Sequence, residues 1–249
     1  MKNNYFYKKP LSNIYKKPSE VSEVTSQIIY GEKFKVLSKN KSWLRIKTSY
    51  DNYIGYIKDE NYTNDHNPTH KIFTLKANIF NKQKNKTKYS LPFASKISII
   101  QTNKKFVEFE KNKWLKNKDL KIITNIEINF TKILKIFLNT KYVWGGKTYN
   151  GIDCSALLQL IFLYNNKFYP RDSADQFTYS KTKKNINNFK KGDIIFWKGH
   201  VAICLSKNLL IHAYGPKKKV IIMNIKETIF EIEKKTNLKV LGLNNINDI

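Results

Sequence analysis

Arginine and cysteine are scarce in this chain of 249 residues. Arg45 and Arg171 are its two arginines, so 46 − 2 = 44 of the basic residues are lysine. Because specific recognition of bases and phosphates depends largely on the forked arginine side chain, this scarcity argues against a specific nucleic-acid partner. The two cysteines, Cys154 and Cys204, are too few for a disulfide-stabilised secreted scaffold. We expect both to be reduced, although one disulfide between them remains an alternative.

The sequence also shows no metal-binding motif, no membrane-spanning segment and no signal peptide. The four histidines and two cysteines show no zinc-binding spacing, so we expect no metal and no cofactor. No apolar run is long enough to span a bilayer. Residues 1–20 are basic but contain neither a continuous apolar stretch nor a cleavage site of a signal peptide. These absences predict a cytoplasmic protein with no membrane partner.

What the chain does have is positive charge and aromatic residues. The formal net charge is +27, and the lysines are spread along the whole length rather than clustered. This pattern is typical of a biased composition, and it predicts weak, salt-dependent, nonspecific binding to polyanions. The hydrophobic content of 41% and aromatic content of 14% argue against disorder and predict folded domains. We expect a monomer.

Changes in texture along the chain predict a leader and three domains. Residues 1–20 are interrupted by prolines and are interpreted as a leader segment packed along the first domain. Short strands separated by turns fill residues 21–64 and return in a similar order in residues 69–123, which predicts two small β-barrels. Residues 125–249 begin with helical patterns and continue with strands, which is typical of an α+β domain. The predicted strands span 193–197, 200–205, 209–214 and 220–225, followed by a short helix over 226–235 and a last strand over 239–243. A basic linker over residues 181–191 interrupts this last domain.

One stretch of the last domain places a cysteine where a nucleophile would be expected. Gly145, Gly146 and Gly151 predict a flexible loop that leads to Asp153, a residue type favoured as a helix N-cap. Cys154 then falls in the first turn of an apolar helix. The positive end of the helix dipole favours a thiolate, and together with a histidine partner it would lower the thiol pKa from about 8.5 into the range of about 3.5–7.5. Taken alone, Cys154 is more often simply a core residue in such a setting.

Two histidines supply the base and the orienting group that a thiol nucleophile needs. A hairpin centred on Ser206 places His200, six residues before it, opposite His212, six residues after it. A shift of the register by one pair would leave them diagonal neighbours, still within reach. His200 would take the thiol proton and His212 would hold its tautomer. Taken alone, His212 would be a hydrogen-bonded core histidine, and Cys204 is expected to be core.

Four motifs in this order resemble the NlpC/P60 family of papain-like cysteine peptidases: YVWGG…GIDCSALLQ, PRDSADQ, KGDIIFWKGHVAI and LLIHAYG. The resemblance covers about residues 125–249, and the two β modules resemble bacterial SH3 domains. It therefore implies an α+β fold, a papain-like NlpC/P60 domain preceded by two small SH3-like β-barrels. The whole arrangement is similar to cytoplasmic enzymes of murein-peptide recycling, which cleave the γ-D-glutamyl–diamino acid bond of free peptides with an unblocked N-terminal L-Ala.

The resemblance also implies roles for individual residues. Cys154 would be the nucleophile, His200 the base and His212 the orienting residue, with Tyr142 beside the oxyanion position. Residues expected to hold the amino end of the substrate are Asp153, Ser155, Ser173 and, from the first β module, Glu32. Each has a plainer reading: Tyr142 as a core aromatic, Asp153 as a helix cap, Ser173 and Glu32 as turn residues. Either Tyr56 or Tyr62 would close the pocket.

The resulting hypothesis is a thiol peptidase acting on murein-derived peptides, with the first β module restricting cleavage to an N-terminal dipeptide. Two rivals remain at this stage. One is an exported hydrolase or amidase that acts on polymeric murein and uses its basic surface to bind the anionic wall. The other is a basic binding protein without enzymatic activity, against which the Cys154–His200–His212 set counts.

Overall fold

The structure is a computed structural model that describes residues 4–181 and 188–249. It divides into two compact units. Unit 1 comprises Met1–Ile126 and Tyr164–Asn166, and unit 2 comprises Glu127–Leu163 and Lys167–Ile249. The predicted basic linker over residues 181–191 lies largely outside the described residues.

The first half of unit 1 is one antiparallel sheet of seven strands in the order β3-β2-β6-β5-β4-β1-β7. Its strands are β1 (Asn4–Tyr7), β2 (Leu11–Tyr15), β3 (Val24–Ile29), β4 (Lys33–Asn40), β5 (Trp43–Thr48), β6 (Ile54–Lys58) and β7 (Tyr62–Thr63). Strand β4 alternates polar and apolar residues from Lys33 to Val36, and β5 does so from Leu44 to Lys47. Their apolar side chains meet those of the other strands in one core. That core contains Tyr7, Ile14, Ile28, Phe34, Leu44, Ile46 and Ile57.

Residues 4–15 of the segment predicted as a leader instead form two strands of this sheet. Strand β1 pairs with β4 and with β7, and β2 pairs with β3 and β6. Tyr7 and Ile14 from these strands are fully buried. The prolines that interrupt the segment lie outside the strands, so they end the strands without excluding them from the ladder.

The second half of unit 1 forms two smaller antiparallel sheets. Five strands pair in the order β10-β9-β14-β13-β12, and three in the order β11-β8-β15. Their bounds are β8 (His70–Ile72), β9 (Lys76–Phe80), β10 (Lys86–Pro92), β11 (Lys96–Ile97), β12 (Gln101–Thr102), β13 (Phe106–Glu110), β14 (Lys113–Lys116) and β15 (Leu120–Ile122). The core between them includes Ile72, Leu91, Ile97, Val107, Phe109 and Leu115.

In its described part, unit 2 combines four helices with a five-stranded sheet and a two-stranded ribbon. The helices are α1 (Phe130–Ile136), α2 (Cys154–Tyr164, whose last residue clusters with unit 1), α3 (Ser173–Tyr179) and α4 (Ile225–Thr236). The ribbon pairs β16 (Lys147–Thr148) with β17 (Gly151–Ile152). The sheet contains β18 (Asp193–Trp197), β19 (His200–Cys204), β20 (Leu209–Tyr214), β21 (Lys219–Asn224) and β22 (Gly242–Asn245). Among the described residues, no helix is long and apolar enough to cross a membrane.

The order β21-β20-β19-β18-β22 makes the sheet a meander with one added strand. Strands β18 and β19 are joined by a two-residue turn in which Gly199 has φ 75°, a left-handed conformation that favours glycine. The last strand is predicted at 239–243 but lies at Gly242–Asn245, because it pairs with β18. The paired residues run from Asp193 with Asn245 to Phe196 with Gly242. The sheet therefore presents the start of β19 beside β20.

The predicted hairpin register is wrong by one pair. Ile203 pairs with Ile211 and Cys204 with Leu210, so the turn is centred on Lys207 rather than on Ser206. His212 is consequently diagonal to His200, not directly opposite. Diagonal neighbours on one face of a sheet remain within reach of side chains as long as histidine.

Candidate active site

The nucleophile candidate Cys154 is the first residue of helix α2. The preceding Asp153 caps the helix, because the Ala156 N–H donates to its Oδ1 at 2.8 Å. The glycines before it meet specific structural needs: Gly145 has φ 71°, a left-handed conformation that favours glycine, and a side chain on Gly146 would lie 2.5 Å from the carbonyl oxygen of Gly151. The loop thus holds the first turn of α2 in a defined position.

The Cys154 sulfur faces the sheet. The backbone N–H groups of Val201 and Ser155 lie near enough to it to act on its pKa. Val201 follows His200 on strand β19, so the thiol lies at the start of the strand that carries the predicted base. The structure therefore brings together the helix start and the sheet edge that the sequence predicts.

The thiol is not the ready thiolate that the sequence predicts. Burial raises the pKa of Cys154 to about 12, and the negative charge of Asp153 adds to this effect. The N–H of Val201 and the charge of Arg171 act in the opposite direction but are outweighed. The side chain is 5% exposed, so the cost of removing a thiolate from water exceeds the gain from the helix dipole. Without a bound substrate the thiol carries its proton.

The two predicted histidines contact each other directly. His200 Nε2 lies 2.9 Å from His212 Nδ1, and the ring centroids are 5.1 Å apart. Tyr214 stacks on His212 at 4.6 Å with an angle of 12° between the planes, which fixes the orientation of the His212 ring. Since the Nε2 atom of His200 is used by His212, its Nδ1 atom is left to receive a proton from the thiol.

Both imidazoles are neutral in this setting. Burial lowers the pKa of His200 to about 4. The pKa of His212 lies well below 6.5 because of burial and because of the neighbouring His200. A neutral His200 can accept a proton, which a general base must do, so both groups of the predicted catalytic pair start uncharged.

An ion pair that the sequence reasoning missed supports the helix start. Arg171 donates from Nη1 to Asp153 Oδ1 at 3.0 Å and from Nη2 to Asp153 Oδ2 at 2.7 Å. Its Nη1 also donates to Ser155 Oγ at 3.0 Å. Both partners of the pair are buried. The rarity of arginine could have indicated this role, because one of only two arginines stands inside the PRDSADQ motif.

This arrangement bears on the predicted substrate ligands of unit 2. The Asp153 carboxylate accepts from Arg171 twice and once each from Ser155 Oγ, the Ala156 N–H and the Gly145 N–H. It acts as a cap and an ion-pair partner, so a substrate ammonium would have to compete with Arg171 for it. Ser173 begins helix α3 and is partly exposed. Roles in substrate binding for Asp153, Ser155 and Ser173 stay predictions.

Tyr142 is close to the nucleophile. Burial raises the pKa of its phenol, and the charge that Cys154 would carry once ionised and the charge of Asp153 contribute to the same shift. Its ring lies beside Gly215, where an added side chain would meet a Tyr142 ring carbon at 3.5 Å. This position is compatible with the role predicted for it at the oxyanion.

The remaining predicted ligand, Glu32, belongs to unit 1. Its Oε2 accepts from the Ile29 N–H at 2.8 Å, and the residue is buried in the turn after β3. Tyr62, one of the two tyrosines considered for the pocket, donates from its hydroxyl to Asp59 at 2.9 Å. The proposed contact of Glu32 with a substrate ammonium stays a prediction, and so does the choice between Tyr56 and Tyr62.

Metal chemistry was not expected here. Within 4–181 and 188–249, no group of three or more His, Cys, Asp or Glu side chains is placed to hold a metal ion. Cys204, the other cysteine, is fully buried in the sheet, and burial raises its pKa to about 12. Both cysteines are free thiols in the structure.

Two family models match the chain. Residues 139–237 match the NlpC/P60 family, and residues 14–61 match the bacterial dipeptidyl-peptidase SH3 domain. The first range contains Cys154, His200 and His212. The second covers most of the seven-stranded sheet of unit 1.

Relatives of similar length carry related names. The chain is 25% identical over 234 residues to dipeptidyl-peptidase 6 of Lysinibacillus sphaericus, covering 82% of this chain and 84% of that protein. It is 24% identical over 236 residues to the gamma-D-glutamyl-L-lysine dipeptidyl-peptidase of Bacillus subtilis strain 168, covering 84% and 79%. Both alignments extend well beyond the peptidase domain.

A crystal structure supports the fold. An NlpC/P60 family protein from Bacillus cereus ATCC 10987 superposes with a TM-score of 0.81 at 16% identity, covering 97% of this chain and 99% of that one. With its buried thiol, its histidine pair and these matches, the chain carries an NlpC/P60 cysteine peptidase domain behind a bacterial dipeptidyl-peptidase SH3 domain, and it is a hydrolase.

Proposed function

We propose that this hydrolase cleaves the γ-D-glutamyl–diamino acid bond of free murein peptides with an unblocked N-terminal L-Ala, and that it serves cell-wall peptide recycling in the cytoplasm. The observation that carries the chemistry is the contact of His200 with His212, on the strand whose Val201 N–H acts on the Cys154 sulfur. The bond and the substrate are suggested by the names of the relatives and by the dipeptidyl-peptidase type of the SH3 domain.

The reaction follows from the protonation states of the site. His200 Nδ1 takes the proton of Cys154 as the sulfur attacks the γ-carbonyl carbon, and the imidazolium then gives this proton to the leaving amine as the C–N bond breaks. Water attacks the resulting thioester, loses a proton to His200 and displaces the Cys154 sulfur, which regains that proton. Because both groups start neutral, attack and proton transfer have to be closely coupled.

Cleavage of a defined peptide tests the proposal. Purified protein should split L-Ala-γ-D-Glu-diaminopimelate after D-Glu, as followed by mass spectrometry of both products. Cys154→Ala should abolish the cleavage because the nucleophile is lost. Cys204→Ala is the matched control, since it removes the other buried thiol from the sheet core, and it should retain activity. Retained cleavage in Cys154→Ala would contradict the mechanism.

The substrate claim needs its own comparison. Acetylation of the peptide's N-terminus should reduce cleavage strongly, because the free ammonium is the proposed recognition element. Intact sacculi should be a poor substrate. Equal cleavage of blocked and free peptides, or faster release from sacculi, would favour the rival hypothesis of a wall hydrolase, whose anionic substrate would suit the net charge of +27.

A further inference from the structure

Besides the aromatic ring of Tyr214, the side chain of Met223 touches the histidine pair. The Sδ atom of Met223 lies 3.4 Å from His212 Nε2. Met223 stands on β21, two residues after Ile221, the direct partner of His212 across the ladder. It is partly buried and packs against the hydrophobic core of unit 2. The contact is therefore a fixed feature of the sheet.

The chemistry of the thioether decides the direction of this contact. A thioether sulfur can accept a weak hydrogen bond but has no proton to donate. In a hydrogen bond between the two, His212 Nε2 must therefore carry the proton. A neutral His212 then has a bare Nδ1, which can only accept.

The same logic continues to the next ring. His200 Nε2, 2.9 Å from the bare Nδ1 of His212, must carry a proton and donate it. A neutral His200 then has its own Nδ1 bare. That atom is the base which the proposed mechanism requires for the Cys154 thiol.

We propose that Met223 is a positioning residue of the thiol site, which fixes the tautomers of His212 and His200 by accepting the Nε2–H of His212. The inference rests on the proposed role of His200 as base. Without an acceptor at Met223, the two rings can reverse their direction: His212 would donate from Nδ1 to His200 Nε2. His200 would then carry its proton on Nδ1 and could not take one from the thiol.

The tautomers are read without any substrate, which separates this test from that of the proposed function. In wild-type protein labelled with 15N, long-range proton–nitrogen spectra at neutral pH should show the Nε2–H form for both His200 and His212. Their signals are assigned by single substitution of each histidine. Detection of Nδ1–H on His212 in the wild type would overturn the proposal.

Two substitutions distinguish the loss of the hydrogen-bond acceptor at position 223 from a change in side-chain volume. Met223→Leu keeps a similar volume and removes the acceptor, so the Nδ1–H form should become populated in both histidines. Met223→Glu supplies, when ionised, a carboxylate that accepts from His212, so His212 Nε2 should again carry a proton. Ile221→Leu is the matched control on the same face of β21 and should leave the tautomers unchanged. Unchanged tautomers in Met223→Leu would overturn the inference.

Activity gives a second readout. Met223→Leu should lower kcat about two- to fivefold, the effect of losing one weak hydrogen bond, while KM stays constant because Met223 does not touch the substrate. If Met223→Leu fails to fold, norleucine incorporation replaces the sulfur with a methylene at the same shape. The chain has two methionines, Met1 and Met223, so this change is confined to them. Wild-type tautomers and kcat in the norleucine protein would equally contradict the role.

Discussion

Cys154 and His200 lose their charges to the same cause. Burial raises the pKa of the thiol to about 12 and lowers that of the imidazole to about 4. The pair is thus neutral over a wide range of pH, whereas the position of Cys154 at a helix start suggested a thiolate. The helix dipole acts on any group placed there, but its effect is small compared with the desolvation of a buried ion. The position of Cys154 at a helix start can be recognised in the sequence, whereas the burial that removes its charge cannot.

The depressed pKa of His200 predicts how stability changes in acid. The unfolded state binds a proton near pH 6.5 and the folded state only near pH 4, so the contribution of His200 is complete above pH 6.5 and is lost as the pH falls through 4. Between pH 6.5 and pH 4, the free energy of unfolding should decline by at most about 1.4 kcal/mol per pH unit for this one group. Urea unfolding at a series of pH values measures the slope.

His200→Gln removes the titrating group and keeps a polar side chain. Its unfolding free energy should fall less steeply over the same range than that of the wild type. His212 still titrates in the variant, so some slope persists. An identical slope in both proteins would show that His200 is not the group responsible.

At the scale of elements, the start of α2 depends on a contact made by a distant segment. Arg171 lies between α2 and α3 in the chain and donates hydrogen bonds to both carboxylate oxygens of Asp153, the cap of α2. Neither proximity in sequence nor helix periodicity indicates such a pair. What the sequence does show is the cap itself: an aspartate before an apolar helix is a local signal, and the Ala156 N–H uses it.

Removal of Arg171 should therefore be costly. Arg171→Met leaves the buried Asp153 carboxylate without its charged partner, and we expect a loss of about 3–5 kcal/mol of unfolding free energy. Arg171→Lys should recover only part, because an ammonium cannot form the two-pronged contact. Chemical denaturation of the variants gives the values.

The chain offers its own control, since its other arginine is exposed on β5. Arg45→Met should change stability by no more than about 0.5 kcal/mol. Adding Asp153→Asn to Arg171→Met removes the unpaired charge and should restore part of the loss. Equal effects of Arg171→Met and Arg45→Met would contradict the importance of the buried pair.

Elements whose pattern is local were predicted closely, and those that depend on a partner were not. Strands β18 and β20 have their predicted bounds, and α4 differs by one residue at each end. The last strand, in contrast, is displaced because β18 selects its register. The ribbon of β16 and β17 was not predicted at all, since two-residue strands leave no periodicity to recognise.

For the whole molecule, the dominant electrostatic property is the net charge of +27. Lysines that are dispersed over a surface attract polyanions through counterion release and do not discriminate between sequences. Arg171, one of the two arginines, is committed to Asp153 inside unit 2. We therefore expect charge-driven binding without specificity.

That expectation has a simple test. Binding to random-sequence DNA, followed by fluorescence anisotropy, should weaken at least tenfold between about 50 and 200 mM NaCl. Different DNA sequences should give the same curve. Peptide cleavage should not change when DNA is added at the higher salt concentration. A salt-resistant preference for one DNA sequence would instead revive the hypothesis of a specific nucleic-acid partner.

The sequence by itself determined the alternation that builds the β modules, the apolar helix capped by Asp153, and the presence of Cys154, His200 and His212 on elements able to meet. These properties follow from residue type and spacing, which act over a few neighbours. Tertiary structure decided the hairpin register and the inclusion of β1 and β2 in a sheet. It also decided the ion pair of Arg171 with Asp153, the contact of Met223 with His212 and the protonation of the Cys154 thiol. Each of these depends on which distant groups exclude water or accept a proton, and that is set only when the chain has folded.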